Sequence, residues 1–231
     1  MPVLQNLKLA VGMSYAFVRL VRDPLCDLSP VFKLVDGINE PEYIRHIEGW
    51  LLDHGVQALT TRPRLGAVDL AALEAMAPNT LGFAFAEFIR ANGLEVDALP
   101  VLPNENPGGY INAHLYETHD IWHVVTGFEP DVAGELGLQA FYLAQFPAKL
   151  PLVLLPAALL NTILYAYPDA RRRMNGIVRG WLLGRRAKQL FGVDWKIRWT
   201  EPLSAVRQSL GIDLEEVFEL VPVEQSAQIA A

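Results

Sequence analysis

Apolar residues recur along most of this chain every three or four positions, the spacing of an α-helix. Leu4, Leu7, Val11, Tyr15 and Val18 predict a helix over 4–22, which Pro24 and Pro30 end. Pro41, with Glu42 behind it, opens a second helix that runs to His54. The stretch from Asp69 to Met76 reads as a short helix with an acidic start, closed by Pro78. A helix over about 80–92 stops at Asn92-Gly93. Residues 97–109, with Pro100, Pro103, Pro107, Gly108 and Gly109, read as a loop. Helices follow at about 110–126 and 131–146, separated by a break at Gly127 and Pro130, with Asp131 as the cap of the second. Further helices are expected at about 150–166, 169–191 and 202–210. Trp195, Ile197 and Trp199 alternate and predict an extended segment over 193–200. The tail after Val221 reads as frayed. No repeat, glycine-rich phosphate loop or low-complexity tract interrupts the pattern. The expectation is an all-α fold, with residues 1–231 in a single multi-helix domain.

Two apolar runs change the picture. Residues 150–167 have the length of a short membrane span. Pro151, Pro156 and Asn161 interrupt the run, so a buried or interfacial helix is expected rather than a crossing. The run from Leu9 to Val18 lies between Lys8 and Arg19 and imitates a signal peptide, but no small-x-small cleavage site follows. It is read as a helix of the fold. Apolar residues make up 52% of the 231 and charged residues 19%, with a mean hydropathy of +0.21, which implies a large core or an apolar surface that meets lipid. A net charge of −7 argues against nucleic acid as the main partner. The single cysteine, Cys26, cannot form a disulfide within the chain, which points to a reducing compartment. It is read as inert.

The candidate chemistry lies in Thr118-His119-Asp120-Ile121-Trp122-His123. His119 and His123 stand one helical turn apart on one face, with Asp120 at its edge. Glu135 would lie about 160° out of phase on a continuous helix. The break at 127–130 lets a second helix fold back and close a divalent-metal site from two sides. His46, His54 and His114 show no comparable spacing. The zinc-protease pattern needs a glutamate where Asp120 stands, which argues against a protease. A His-Asp phosphohydrolase would need further ligands that the sequence does not place. Arg172, Arg179 and Arg186 recur every seven residues and share a helix face. The bland reading is a solvated basic face; the functional one is a site for a phosphate or carboxylate head group or for anionic lipid. For the aliphatic stretch 141–167, core packing is the default, and an elongated apolar pocket for a lipid tail is the alternative.

His119-Asp120-x-x-His123-(x)11-Glu135 resembles the signature of the ubiquinone (coenzyme Q) biosynthesis proteins of the Coq-four family. The segments Pro78-Asn79-Thr80-Leu81-Gly82 and Phe85-Ala86-Glu87-Phe88 resemble that family's segment before an aromatic helix. Trp199-Thr200-Glu201-Pro202-Leu203, Arg207 and Leu210-Gly211-Ile212 resemble its ending. The likeness covers about 65–212. The approach loop 93–113 lacks the family's Arg-containing charged stretch, and the first 60 residues carry no matching motif.

The resemblance implies an all-helical fold, a zinc-type site made by His119, Asp120, His123 and Glu135, and a hydrophobic channel for a polyprenyl tail. Magnesium or another divalent ion is the alternative metal. It also implies removal of the ring carboxylate from a polyprenylated hydroxybenzoate, and the organisation of other quinone-biosynthesis enzymes into a complex. The expected partners are therefore a polyprenyl lipid or prenylated aromatic acid, those enzymes, and a membrane surface met peripherally, with a homodimer left open. The expected place is the cytoplasmic face of a membrane, or the matrix side of the mitochondrial inner membrane in a eukaryote. A metal-dependent lyase is the leading reading. The alternatives are a non-catalytic polyprenyl-lipid-binding scaffold and a prenyl-phosphate hydrolase. Four protein ligands would saturate a tetrahedral zinc, so for catalysis Asp120 is expected to stand behind the ligands rather than among them.

Overall fold

The computed structural model describes residues 15–25, 41–54, 61–95 and 107–222. Cys26, the first part of the 4–22 helix, most of the 97–109 loop and the tail lie outside them. A helical stretch at 15–22 is followed by nine α-helices among the described residues: α1 Pro41–Asp53, α2 Leu70–Glu74, α3 Leu81–Ala91, α4 Pro107–Thr126, α5 Val132–Gln145, α6 Leu150–Tyr165, α7 Ala170–Arg186, α8 Leu203–Leu210 and α9 Leu214–Leu220. Short 3-10 turns occupy Tyr167–Asp169 and Trp195–Arg198. The all-α expectation is met in one multi-helix domain, and no strand forms among the described residues.

The starts of several helices follow from their sequence. The side chains of Asp69, Thr80, Asp131 and Asp213 accept from backbone N–H groups of Ala72, Phe83, Gly134 and Glu216, which otherwise lack helical partners. The structure corrects the sequence reading at several places. Helix α4 begins at Pro107, inside the predicted loop, because a proline in the first turn sacrifices only an N–H that has no helical partner. The 169–191 helix ends at Arg186, where the chain turns extended at Ala187. There Gln145 receives the Leu190 N–H and donates to the Gly184 carbonyl, holding the departing chain against α5. The 193–200 segment is a 3-10 turn, not extended: Asp194 caps the Lys196 N–H, Trp195 is buried and Ile197 faces outward. Helix α9 lies beyond the last helix expected from the sequence, and Asp213 caps its start. Helix α6 continues through Pro156, whose missing N–H deprives the carbonyl of exposed Leu152, where water can replace it. Among the described residues no helix is long and apolar enough to cross a membrane.

The main core gathers Leu81 and Phe85 of α3, Trp122 of α4, Phe141 of α5, Leu183 of α7, Trp195 and Val206. The two segments that carry the flanking resemblance meet across it. The N–H groups of Leu81 and Gly82 donate to the carbonyls of Glu201 and Trp199, and the Leu203 N–H donates to Asn79. Arg207 then reaches the end of α4, donating to the Val124 and Val125 carbonyls that the helix leaves open. Those contacts fix the C-terminal turn of α4, which carries His123.

Helices α5 and α7 pack backbone against backbone. Gly176, Gly180 and Gly184 recur every four residues along the α7 face that meets α5. A β-carbon at Gly176 would come within 2.5 Å of the Ala133 carbonyl oxygen, and one at Gly180 would meet the Gly137 carbonyl closer still. At the Gly176 end of that seam, Asp169 pairs with Arg172 and Arg173, and Arg172 also pairs with Asp131 at the start of α5. Arg173 donates further to Asn161 and Thr162 of α6.

Candidate metal centre

The site is made by α4 and the first turn of α5. Gly127, at φ +70°, ends α4 in the left-handed conformation that favours glycine, and the chain reverses within four residues. Asp131 caps α5, which places Glu135 in its first turn at the positive end of the helix dipole. The ligand atoms of His119, His123 and Glu135 all lie within 4.8 Å of one another. His123 Nε2 is 3.1 Å from Glu135 Oε1 and 3.3 Å from His119 Nε2, and His119 Nε2 is 3.8 Å from Glu135 Oε2. The fold-back anticipated from the 127–130 break therefore brings three of the four expected residues together. Asp120 contributes no atom to this group; it acts on His119 through its charge.

The donor set fits a divalent cation on chemical grounds. His123 Nδ1 lies 2.9 Å from the Phe128 carbonyl oxygen, which can only accept, so this nitrogen carries the proton. The Nε2 lone pair then faces the Glu135 carboxylate, with a second imidazole nitrogen beside them. The three groups can be held together by a hydrogen on His119 Nε2 or by a cation that takes all three lone pairs. His119 Nδ1 lies 3.3 Å from the Tyr142 hydroxyl, and the two rings stack. In the tautomer that bares His119 Nε2, Nδ1–H donates to the phenol oxygen, the outer-sphere support common to metal-binding histidines. Phe88 of α3 stacks on His123 at 5.5 Å between ring centroids, and Trp122 stacks on Tyr142 at 4.3 Å.

The electrostatics tie Glu135 to the imidazoles around it. Burial alone would raise the Glu135 carboxyl, but hydrogen bonds and charge from His119 and His123 hold it well below the ordinary carboxylate range. Burial would lower the His119 imidazole, yet the Glu135 hydrogen bond and the charges of Glu135 and Asp120 hold it above its ordinary value. Tyr142 is pushed well up, first by burial and then by Glu135 and Asp120. Its phenol therefore stays neutral.

A groove of about 400 Å³ between α3 and the α4–α5 turn reaches His123, with Phe88, Phe128 and Leu203 beside Arg90 and Asn92 in its wall. The heptad-spaced arginines lie elsewhere and each has a partner inside the protein. Arg172 bridges Asp131 and Asp169, Arg179 is buried against Phe218 and the Asn175 carbonyl, and Arg186 pairs with Glu216. Sequence reasoning missed Tyr142 and the Phe128 carbonyl. Tyr142 follows Glu135 by seven residues, two turns along the same face of α5, which is a readable signal. A backbone carbonyl carries none beyond the glycine before it.

The family model described as coenzyme Q (ubiquinone) biosynthesis protein Coq4 matches residues 36–216, extending past the resemblance at both ends. A ubiquinone biosynthesis protein coq4, mitochondrial, of Botryotinia fuckeliana is 28% identical over 188 residues, covering 76% of this chain and 65% of that protein. The mitochondrial COQ4 homolog of Rattus norvegicus is 28% identical over 164 residues, covering 68% of this chain and 60% of that one. The chain thus spans less than two thirds of the length of these relatives. A crystal structure described as a ubiquinone biosynthesis protein, from Nostoc punctiforme PCC 73102, superposes with a TM-score of 0.74 at 25% identity, covering 88% of this chain and 98% of that one. With the matched stretch containing α1 to α8 and the whole of the histidine–glutamate site, the chain belongs to the Coq4 family of coenzyme Q (ubiquinone) biosynthesis proteins.

Proposed function

We propose that this Coq4-family protein removes the ring carboxylate of a polyprenylated hydroxybenzoate at a membrane surface, using a divalent ion held by His119, His123 and Glu135. Zinc is the first choice for two imidazoles and a carboxylate. The observation that carries the reading is the number of ligands. Among the described residues two histidines and one glutamate converge, which would leave a coordination position of a bound ion for substrate, whereas a fourth protein ligand would favour a purely structural ion. A bound ion would polarise the carboxylate or phenolate oxygens of the substrate as a Lewis acid.

The chain's own groups do the rest. Tyr142 and the Phe128 carbonyl hold the two imidazoles with Nε2 inward. Phe88, Phe128 and Leu203 line the groove that would take the aromatic ring and the first part of its tail. In the reaction the bond between ring carbon and carboxylate breaks, its electron pair stays on the ring, carbon dioxide leaves, and a proton fills the vacated position. Asp120, beside His119 and outside the ligand group, is assigned to hold that proton. Joint action with other quinone-biosynthesis proteins is part of this reading.

The test is release of carbon dioxide from a prenylated hydroxybenzoate by the metal-loaded protein, with loss in His123→Ala. Tight lipid binding without release would overturn the enzyme and favour a lipid-holding scaffold. Release of phosphate from a prenyl phosphate would instead identify a hydrolase.

A further inference from the structure

We propose that the outward faces of α6 and α7 form one docking surface for an anionic lipid bilayer. The proposal rests on the membrane part of the function proposed above and not on its metal or its reaction.

Helix α6 carries no charged residue, yet it is only half covered. Its inward face holds Ala157, Ala158, Asn161 and Thr162, whereas Leu152, Ile163 and Leu164 face outward. Ile163 is 66% exposed, and Tyr167 in the turn that follows is 73% exposed. Helix α7 repeats the arrangement. Its glycine face meets α5, and its outer stripe runs Arg171, Met174, Val178, Trp181, Arg185, all exposed. The two stripes join at Tyr167–Asp169, where Arg173 ties α7 to Asn161 and Thr162 of α6. An apolar strip along both helices, with Arg171 at their junction and Arg185 at the far end of α7, is more than scattered surface residues require.

Charge selects the occupant. The chain carries a net charge of −7, but the only acid between residues 150 and 186 is Asp169, which is buried and bound by Arg172 and Arg173. The helical stretch at 15–22, packed on α6 through Leu20 and Val21, adds exposed Arg19 and Arg22. A cationic, apolar surface edged by Tyr165, Tyr167 and Trp181 matches the head-group level of an anionic membrane. A second copy fits less well, since a two-fold contact would set this basic surface against itself.

The test is sedimentation of the full chain with vesicles of phosphatidylcholine alone and of phosphatidylcholine with phosphatidylglycerol, alongside light scattering. The wild type should bind the anionic vesicles more tightly, and chelator should not change this. Ile163→Glu with Tyr167→Glu should lower binding at least about tenfold. Arg171→Gln with Arg185→Gln, which leaves the apolar strip intact, should lower anionic-vesicle binding by about fivefold per arginine and leave neutral-vesicle binding unchanged. Ile197→Glu, an exposed apolar position outside both helices, should have no effect. Binding by the wild type that neither pair alters would overturn this face while leaving membrane association in place. No binding to any vesicle would overturn both. A dimer that Ile163→Glu dissolves without loss of vesicle binding would assign the face to a second copy.

Discussion

Helix α4 carries two buried imidazoles that differ in one respect. His114 and His123 are each 1% exposed. Both donate Nδ1–H to a backbone carbonyl, His114 to Pro63 and His123 to Phe128. The second nitrogen separates them. His114 Nε2 accepts the Gly192 N–H at 2.9 Å, delivered by a backbone at φ +84°, so both nitrogens are satisfied and the ring is a strut between α4 and two loops. His123 Nε2 meets a carboxylate and another imidazole, and its lone pair lacks a fixed donor. A buried histidine is thus structural or chemical according to what faces its last nitrogen.

The largest expected effect tests that contrast directly. His123→Ala should lower metal affinity on the order of a hundredfold or more and abolish stoichiometric metal after dialysis. His114→Ala should keep full metal stoichiometry while lowering stability. Equal metal loss in both would erase the distinction.

The next effect is in pH. Burial lowers His114 to about 4 from its ordinary 6.5, against a smaller opposing push from the Pro63 hydrogen bond. Between those values the unfolded chain binds the proton and the folded one does not. The stability contribution is therefore complete above about pH 6.5 and lost as pH falls toward 4, about 2 kcal/mol of it by pH 5. Urea unfolding at pH 7 and pH 5 should show this loss in the wild type and its absence in His114→Gln. Equal losses would mean that other groups carry the pH dependence.

Tyr142→Phe should weaken metal binding about tenfold with little change in thermal stability, measured by competition with a chelator, because only the partner of His119 Nδ1 is removed. Unchanged affinity would show that ring stacking alone orients His119. The smallest effect on the metal site itself belongs to Asp120→Asn. It should leave metal stoichiometry intact and move the titration of His119 in metal-free protein downward, as followed by NMR. Loss of metal would make Asp120 a ligand.

Much of this arrangement is legible in the residues. The helical spacing, the capping aspartates and the break at 127–130 give the helix–turn–helix and predict that Glu135 returns to His119 and His123. Periodicity alone does not give direction. Arg172, Arg179 and Arg186 do share a spacing, but which way that face points is decided by Gly176, Gly180 and Gly184, whose four-residue recurrence marks the side that meets α5. The alternation of Trp195, Ile197 and Trp199 reads as extended, yet no neighbouring strand is there to pair with it among the described residues, and the Asp194 cap wins locally. His114 carries no signal because its partners are backbone groups 51 and 78 residues away.

The glycine seam between α5 and α7 sets how much the candidate metal centre tolerates from behind. Glu135 rides on a helix whose distance from its neighbour is fixed by bare backbone, so a single methyl at Gly180 acts as a wedge. It would tilt the carboxylate away from two imidazoles that have not moved. Substitutions that disturb the candidate site should accordingly map also to α7, which contributes none of its three residues.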